Sequence, residues 1–124
     1  MNIPNDLLYT KDHEWIRIVD DVATIGVTDY AQGELGDIIF IEFPNKGEKY
    51  KSGDSVGTIE AVKTVADLYA PIDGQILEVN VALEDEPDQV NKDPYVKGWI
   101  IKLCEISKNL SDLLKASDYK DLVQ

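Results

Sequence analysis

The sequence predicts an all-β sandwich or barrel with short helices at its periphery, on three observations. Short β-branched and aromatic runs recur along most of the chain. Turn signals separate them roughly every 8–12 residues, the spacing of all-β domains. Helical signals are confined to brief stretches near Thr28 and at the C-terminus.

The elements follow in order. His13 to Val19 alternates, putting Trp15, Arg17 and Val19 on one face and Ile16 and Ile18 on the other. After the Asp20-Asp21 turn, Val22 to Val27 is a second β-branched run, so the pair reads as a hairpin. Thr28 is a candidate N-cap for a short helix through Ala31 and Leu35, ended by Gly36. Asp37 to Phe43 is rich in Ile and Phe, and Pro44-Asn45-Lys46-Gly47-Glu48 is a turn by composition. Gly53-Asp54 and Pro71-Ile72-Asp73-Gly74 mark two further turns. Beyond Gly74, Gln75, Leu77, Val79 and Val81 share one strand face and Ile76, Glu78 and Asn80 the other. Glu84 to Pro94 is acidic and loop-like, and Tyr95 to Ile106 returns to strand. Ser111 and Ser117 are expected to cap two short helical pieces, with Leu113, Leu114, Tyr119, Leu122 and Val123 as buried contacts. No linker, low-complexity tract or strong repeat divides the chain, so residues 1–124 read as one domain.

Charge excludes several functions. Twelve Lys and Arg against 24 Asp and Glu leave a net charge of −12. Such a surface repels phosphate backbones and anionic membranes, and it attracts a partner with a basic face. No apolar run approaches the roughly 20 residues of a membrane span. The opening Met1-Asn2-Ile3-Pro4-Asn5-Asp6 lacks the features of a signal or transit peptide, so the expected location is the cytoplasm of a bacterium, or an organelle if a leader has been removed. The single cysteine, Cys104, lies in the apolar run Trp99 to Cys104 and reads as a structural thiol rather than a nucleophile. One His and one Cys cannot build the usual four-ligand metal site.

Gly57 to Pro71 is the decisive stretch, and its local pattern allows two structures. Ile59, Val62, Ala66 and Tyr69 recur at helical spacing. Alternatively, Val56 to Glu60 and Val65 to Ala70 are strands joined by a turn that holds Lys63. No favoured turn residue lies between Ala61 and Thr64, which weighs against that hairpin. Pattern alone leaves both open.

Glu60-Ala61-Val62-Lys63-Thr64 resembles the lipoylation segment of glycine cleavage H-proteins, in which the lysine sits at a hairpin tip. Tyr9-Thr10 and His13-Glu14-Trp15 resemble that family's opening segment. Gly26-Val27-Thr28, Ala31-Gln32 and Leu35-Gly36-Asp37 resemble the next. Ala70-Pro71-Ile72-Asp73-Gly74 follows the lysine at the family's spacing, and Asn80, Leu83, Pro87, Asn91, Pro94-Tyr95 and Gly98-Trp99 fall in order. The resemblance covers nearly the whole chain. Biotin carriers usually flank the lysine with methionines, whereas Val62 and Thr64 stand here. Lipoyl domains of 2-oxoacid dehydrogenases tend to place an acid just before it and are shorter.

The resemblance implies a lipoyl-domain-like barrel–sandwich hybrid, a single carrier domain over 1–124 with Lys63 on an exposed hairpin turn. It implies lipoate attached covalently to Lys63 by a lipoate ligase or lipoyl transferase. The chain would shuttle the aminomethyl group of glycine from the decarboxylating P-protein to the aminomethyltransferase T-protein, with the dihydrolipoyl dehydrogenase L-protein reoxidising the arm. It would be a carrier with no catalytic residue and no metal of its own, working as a monomer. Glu14 and Asp67 are implied to lie beside the loaded arm, with Asp12 as a further member where relatives have a small polar residue. A second implied role is a lipoyl relay that donates lipoyl groups to 2-oxoacid dehydrogenases, and a third reading is an unmodified interaction module. His13 reads as a packed, hydrogen-bonded histidine rather than a general base. Trp15 and Trp99 read as core or groove wall, and Gly36, Gly57, Gly74 and Gly98 as turn or bulge positions.

Overall fold

The computed structural model describes all residues, 1–124. Strands β1 (Leu8–Tyr9), β2 (Glu14–Val19) and β3 (Val22–Val27) lead into helix α1 (Asp29–Leu35). Then come β4 (Ile38–Glu42), β5 (Lys49–Tyr50), β6 (Ser55–Ala61), β7 (Val65–Tyr69) and β8 (Gly74–Val79). Short helices α2 (Ala82–Asp85) and α3 (Gln89–Lys92) precede β9 (Ile101–Cys104), β10 (Leu114–Lys115) and α4 (Ala116–Val123). Every strand pairing is antiparallel. One sheet has seven strands in the order β10-β1-β2-β3-β9-β8-β5; the other has three, β4-β6-β7.

Local chemistry explains the junctions. Asp20 and Asp21 adopt φ of 50° and 63° between the paired Val19 and Val22, a two-residue loop whose left-handed residues match the strand twist. Thr28 accepts the Ala31 amide proton and Gly36 closes α1 at φ 78°, as their positions suggest. The main core joins both sheets, with Ile38, Ile41 and Ile59 from the small sheet meeting Ile25, Ile76 and Leu103 from the large one. Burying these faces against each other supplies most of the driving force for holding the sheets together. A second cluster lies on the opposite face of β2, where Trp15 packs with Tyr9, Tyr95 and Tyr119. Tyr9 and Tyr119 stack at 4.7 Å, docking α4 on the sheet. Gly26, paired with Trp15, makes room for the indole: a Cβ there would stand 2.7 Å from its Nε1.

Several sequence expectations are corrected. The alternation proposed for Gln75 to Val81 breaks at a bulge between Ile76 and Glu78, leaving Leu77 and Glu78 both exposed. Glu84 to Pro94 is not all loop: α2 and α3 are single turns anchored by the buried Leu83 and Val90. One turn is too short to display helical periodicity, and burial rather than propensity holds it. The strand expected over Tyr95 to Ile106 shrinks to Ile101–Cys104, because Val96 and Gly98 donate back to Asp93 O in a turn. Ser111 caps no helix; its Oγ donates to Asn109 Oδ1 in a turn, and Ser117 lies inside the first turn of α4 after cap residue Lys115. Leu122 is exposed rather than a core contact.

Candidate functional site

The Gly57–Pro71 segment forms the β6–β7 hairpin, with Ile59 opposite Ala66 and Glu60 opposite Val65. At its tip Ala61 N donates to Thr64 O at 2.8 Å, and Val62 N donates to Asp37 O at 3.0 Å. None of Val62, Lys63 or Thr64 has positive φ. The tip therefore needs no glycine or asparagine, which is why the missing turn residues argued falsely against a hairpin. The brace from Asp37, just past α1, supplies what turn chemistry does not. Gly57 sits at the bulge in β6, where a Cβ would run into the Glu42 carbonyl.

Lys63 is exposed on this tip and joins neither of the two ion pairs of the molecule, Lys92–Asp88 and Lys102–Glu78. Its amine is free and accessible on a backbone held from two sides.

Glu14 opens β2 and is only 2% exposed. Thr10 Oγ1 donates to its Oε1 at 2.6 Å, and Tyr69 N donates to its Oε2 at 3.3 Å. The same Thr10 hydroxyl accepts from the Asp12 and Glu14 amides, each at 3.2 Å. Burial pushes the Glu14 carboxyl up to about 7, against the lowering effect of these two donors, and the nearby Asp12 charge adds to the rise.

Asp67 is exposed in β7, four residues beyond the lysine on the tip. Its carboxylate accepts from Ser55 Oγ at 3.1 Å and Tyr69 Oη at 3.4 Å. Asp12 is exposed on the loop before β2. The Tyr69 hydroxyl is held protonated above its ordinary range chiefly by Asp67, with Asp12 and Glu14 contributing. The three carboxylates thus converge around Tyr69, on the free edge of the small sheet and along the strand that leads away from the Lys63 tip. Sequence reading gave no role to Thr10, Tyr69, Ser55 or Asp37. Thr10 was detectable only as a hydroxyl four residues before Glu14, and Tyr69 only as sharing a strand face with Asp67.

His13, at φ 68°, is bonded through Nδ1 to Tyr119 Oη at 2.8 Å, and its ring tilts onto Tyr30. Burial lowers its pKa. Tyr119 Oη also bonds Thr28 Oγ1 at 2.7 Å, so His13 belongs to the tie between α4 and α1. Trp15 Nε1 donates to Pro94 O at 3.0 Å, and Lys102 lies over the half-buried Trp99 ring. Cys104 is half-buried with Sγ 3.6 Å from Gln75 O. No group of three His, Cys, Asp or Glu side chains is arranged to hold a metal, and no helix is long and apolar enough to cross a membrane.

Two sheets sharing one core, with an exposed lysine on a braced hairpin, form a barrel–sandwich of the lipoyl-domain type. The model of the glycine cleavage H-protein family matches residues 7–124. The chain is 52% identical over 124 residues to the glycine cleavage system H protein of Bacteroides thetaiotaomicron, covering 99% of this chain and 98% of that one. It is 50% identical over 121 residues to that of Listeria innocua, covering 97% of each. A crystal structure of a glycine cleavage system H protein from Mycobacterium marinum matches with a TM-score of 0.87 at 41% identity, covering 96% of this chain and 97% of that one. The chain belongs to the glycine cleavage H-protein family, whose members carry lipoate and serve the glycine cleavage system as a carrier rather than as an enzyme.

Proposed function

We propose that Lys63 is joined to lipoate through an amide and that the whole chain, as one carrier domain, moves the aminomethyl group of glycine from the P-protein to the T-protein. The L-protein then reoxidises the dithiol, in the cytoplasm of a bacterium. The observation that carries this reading is the exposed, unpaired Lys63 on a tip braced by Asp37 and Thr64. A rigid support limits the search an enzyme makes for the amine. In an ATP-dependent attachment, the deprotonated Nζ attacks the carbonyl carbon of lipoyl adenylate. The C–N bond forms, the C–O bond to phosphate breaks, and AMP leaves with loss of the amine proton. Once attached, lipoate supplies reversible dithiol–disulfide and thiol chemistry that no side chain of this protein offers.

The chain's own residues contribute position, charge and shelter. A protonated amine within hydrogen-bond distance of Glu14 favours the ionised carboxylate, whose pKa burial, opposed by its two donors, otherwise raises to about 7. Thr10 and Tyr69 fix both oxygens of that carboxyl. Asp67 and Asp12 add negative potential at the approach to it. Removal of the carboxyl from water makes a charge-assisted bond there stronger than at the surface.

Incubation with lipoate, ATP and a lipoate ligase, followed by intact-mass and peptide mass spectrometry, tests the reading. A single lipoyl adduct on Lys63 is the expected result. Absence of the adduct from folded protein with an active ligase overturns it. Glycine-dependent loading by the P-protein then tests the finer role.

A further inference from the structure

Four of the ten exposed large apolar side chains, Ile39, Phe40, Val62 and Val65, lie on β4 and the β6–β7 tip. The strand registers arrange two of them. Phe40 pairs with Glu60 and Glu60 with Val65, making one row across the small sheet. Glu42, Thr58 and Asp67 make the second row on the same face. The row between them, Ile41–Ile59–Ala66, alternates to the opposite face, where Ile41 and Ile59 are buried in the core. The outward rows therefore present Phe40, 54% exposed, and Val65, 62% exposed, on either side of Glu60, with Glu42 and Asp67 beside them. These two rows contain no lysine or arginine. Phe40 and Val65 are each left more than half exposed by the fold, although apolar side chains of this size are ordinarily put to use when they cluster.

The geometry points to this face as the docking surface for the enzyme that acylates Lys63, a partner with basic side chains around an apolar contact for Phe40 and Val65. The assignment rests on the reading of Lys63 as the lipoylation site. An enzyme acting on the loaded arm works at the arm's end and can stand off from the backbone. The enzyme that makes the amide must bring its active site within one lysine side chain of the tip. It then covers residues next to the tip: Val65 is two residues away, and Phe40 lies two strands across, about 10 Å from it. Aromatic side chains at such contacts tend to dominate binding, and surrounding acids set the approach of a basic partner and its salt dependence.

The test is steady-state lipoylation of the full chain by lipoate ligase with ATP and lipoate, comparing wild type, Phe40→Ser, Glu42→Gln and Leu77→Ser. Leu77 is exposed on the large sheet and serves as the control. Phe40→Ser should lower kcat/KM about tenfold or more, through KM, while remaining folded by circular dichroism. Acetylation of Lys63 by a small-molecule active ester should proceed at the wild-type rate in that variant, since the amine itself is untouched. Leu77→Ser should stay within about twofold of wild type. Added NaCl should lower wild-type kcat/KM, and Glu42→Gln should flatten that dependence. Active wild type with Phe40→Ser equally active, an equal loss in Leu77→Ser, or identical salt dependence in Glu42→Gln overturns the docking surface alone. Inert wild type overturns the carrier reading beneath it.

Discussion

The Tyr69 amide donates to Glu14 Oε2 across 3.3 Å, joining the free edge of the three-stranded sheet to the first residue of β2 in the seven-stranded sheet. One carboxyl therefore links the two sheets and faces the strand that runs to Lys63. Burial dominates its environment, relieved by two donors and no cation.

The energetic consequence has a definite sign. Burial raises the folded-state pKa of Glu14 from 4.5 to about 7, so the folded chain holds a proton that the unfolded chain has lost over that interval. The contribution of Glu14 to stability is present in full below the unfolded value and is lost as pH rises through about 7. By linkage, the difference is on the order of 3 kcal/mol. Glu14→Gln, uncharged at every pH, should remove this fall. Urea unfolding at pH 5, 6 and 8 checks it: the wild-type minus variant difference should shrink or reverse between the first and last values. The same variant, loaded by the P-protein, should lose its aminomethyl group faster than wild type, and unchanged lifetimes would remove Glu14 from the carrier role.

Thr10→Val should weaken the same site without touching its charge. The hydroxyl donates to Glu14 and accepts from two amides, so its loss leaves the buried Glu14 carboxyl and the Glu14 amide short of partners. A destabilisation of about 1–3 kcal/mol is expected, together with a further rise in the Glu14 pKa, because a donor to the ionised form is gone. Carboxyl-carbon NMR titration and denaturant unfolding read the two effects separately.

Lys63→Arg should leave stability within about 0.5 kcal/mol of wild type, since the side chain is exposed and unpaired. It should abolish the lipoyl adduct, because the guanidinium is not an acylable amine under these conditions. Thermal melting beside mass spectrometry separates the outcomes.

Gly26→Ala should force the Trp15 indole out of its place against β3. The new methyl would stand 2.7 Å from the ring within a packed cluster, at an expected cost of about 1–3 kcal/mol. A lower melting temperature and altered tryptophan fluorescence are the signs to measure.

The alternation and turns of His13 to Val27 were legible because a two-residue Asp-Asp loop and β-branched runs act locally. Thr28 and Gly36 were legible as caps for the same reason. Lys63 stands out only through family resemblance, and its local structure is not legible, since the tip is held by the distant Asp37 carbonyl rather than by turn residues. The single-turn helices α2 and α3, the bulge at Leu77 and the Thr10–Glu14–Tyr69 cluster were not legible. Each depends on residues far apart in sequence, and no periodic signal records such a meeting.

Strand β7 borders its sheet on one side only. A bare strand edge is a template on which another chain can add itself, and small β proteins must discourage that. Here the Glu14 carboxyl occupies the Tyr69 amide, Asp67 puts a charge beside it, and the strand spans only five residues. The acids proposed to favour a cationic cargo also guard against self-association. Neutralising them by substitution or acidification exposes the chain to strand-by-strand aggregation from this free edge.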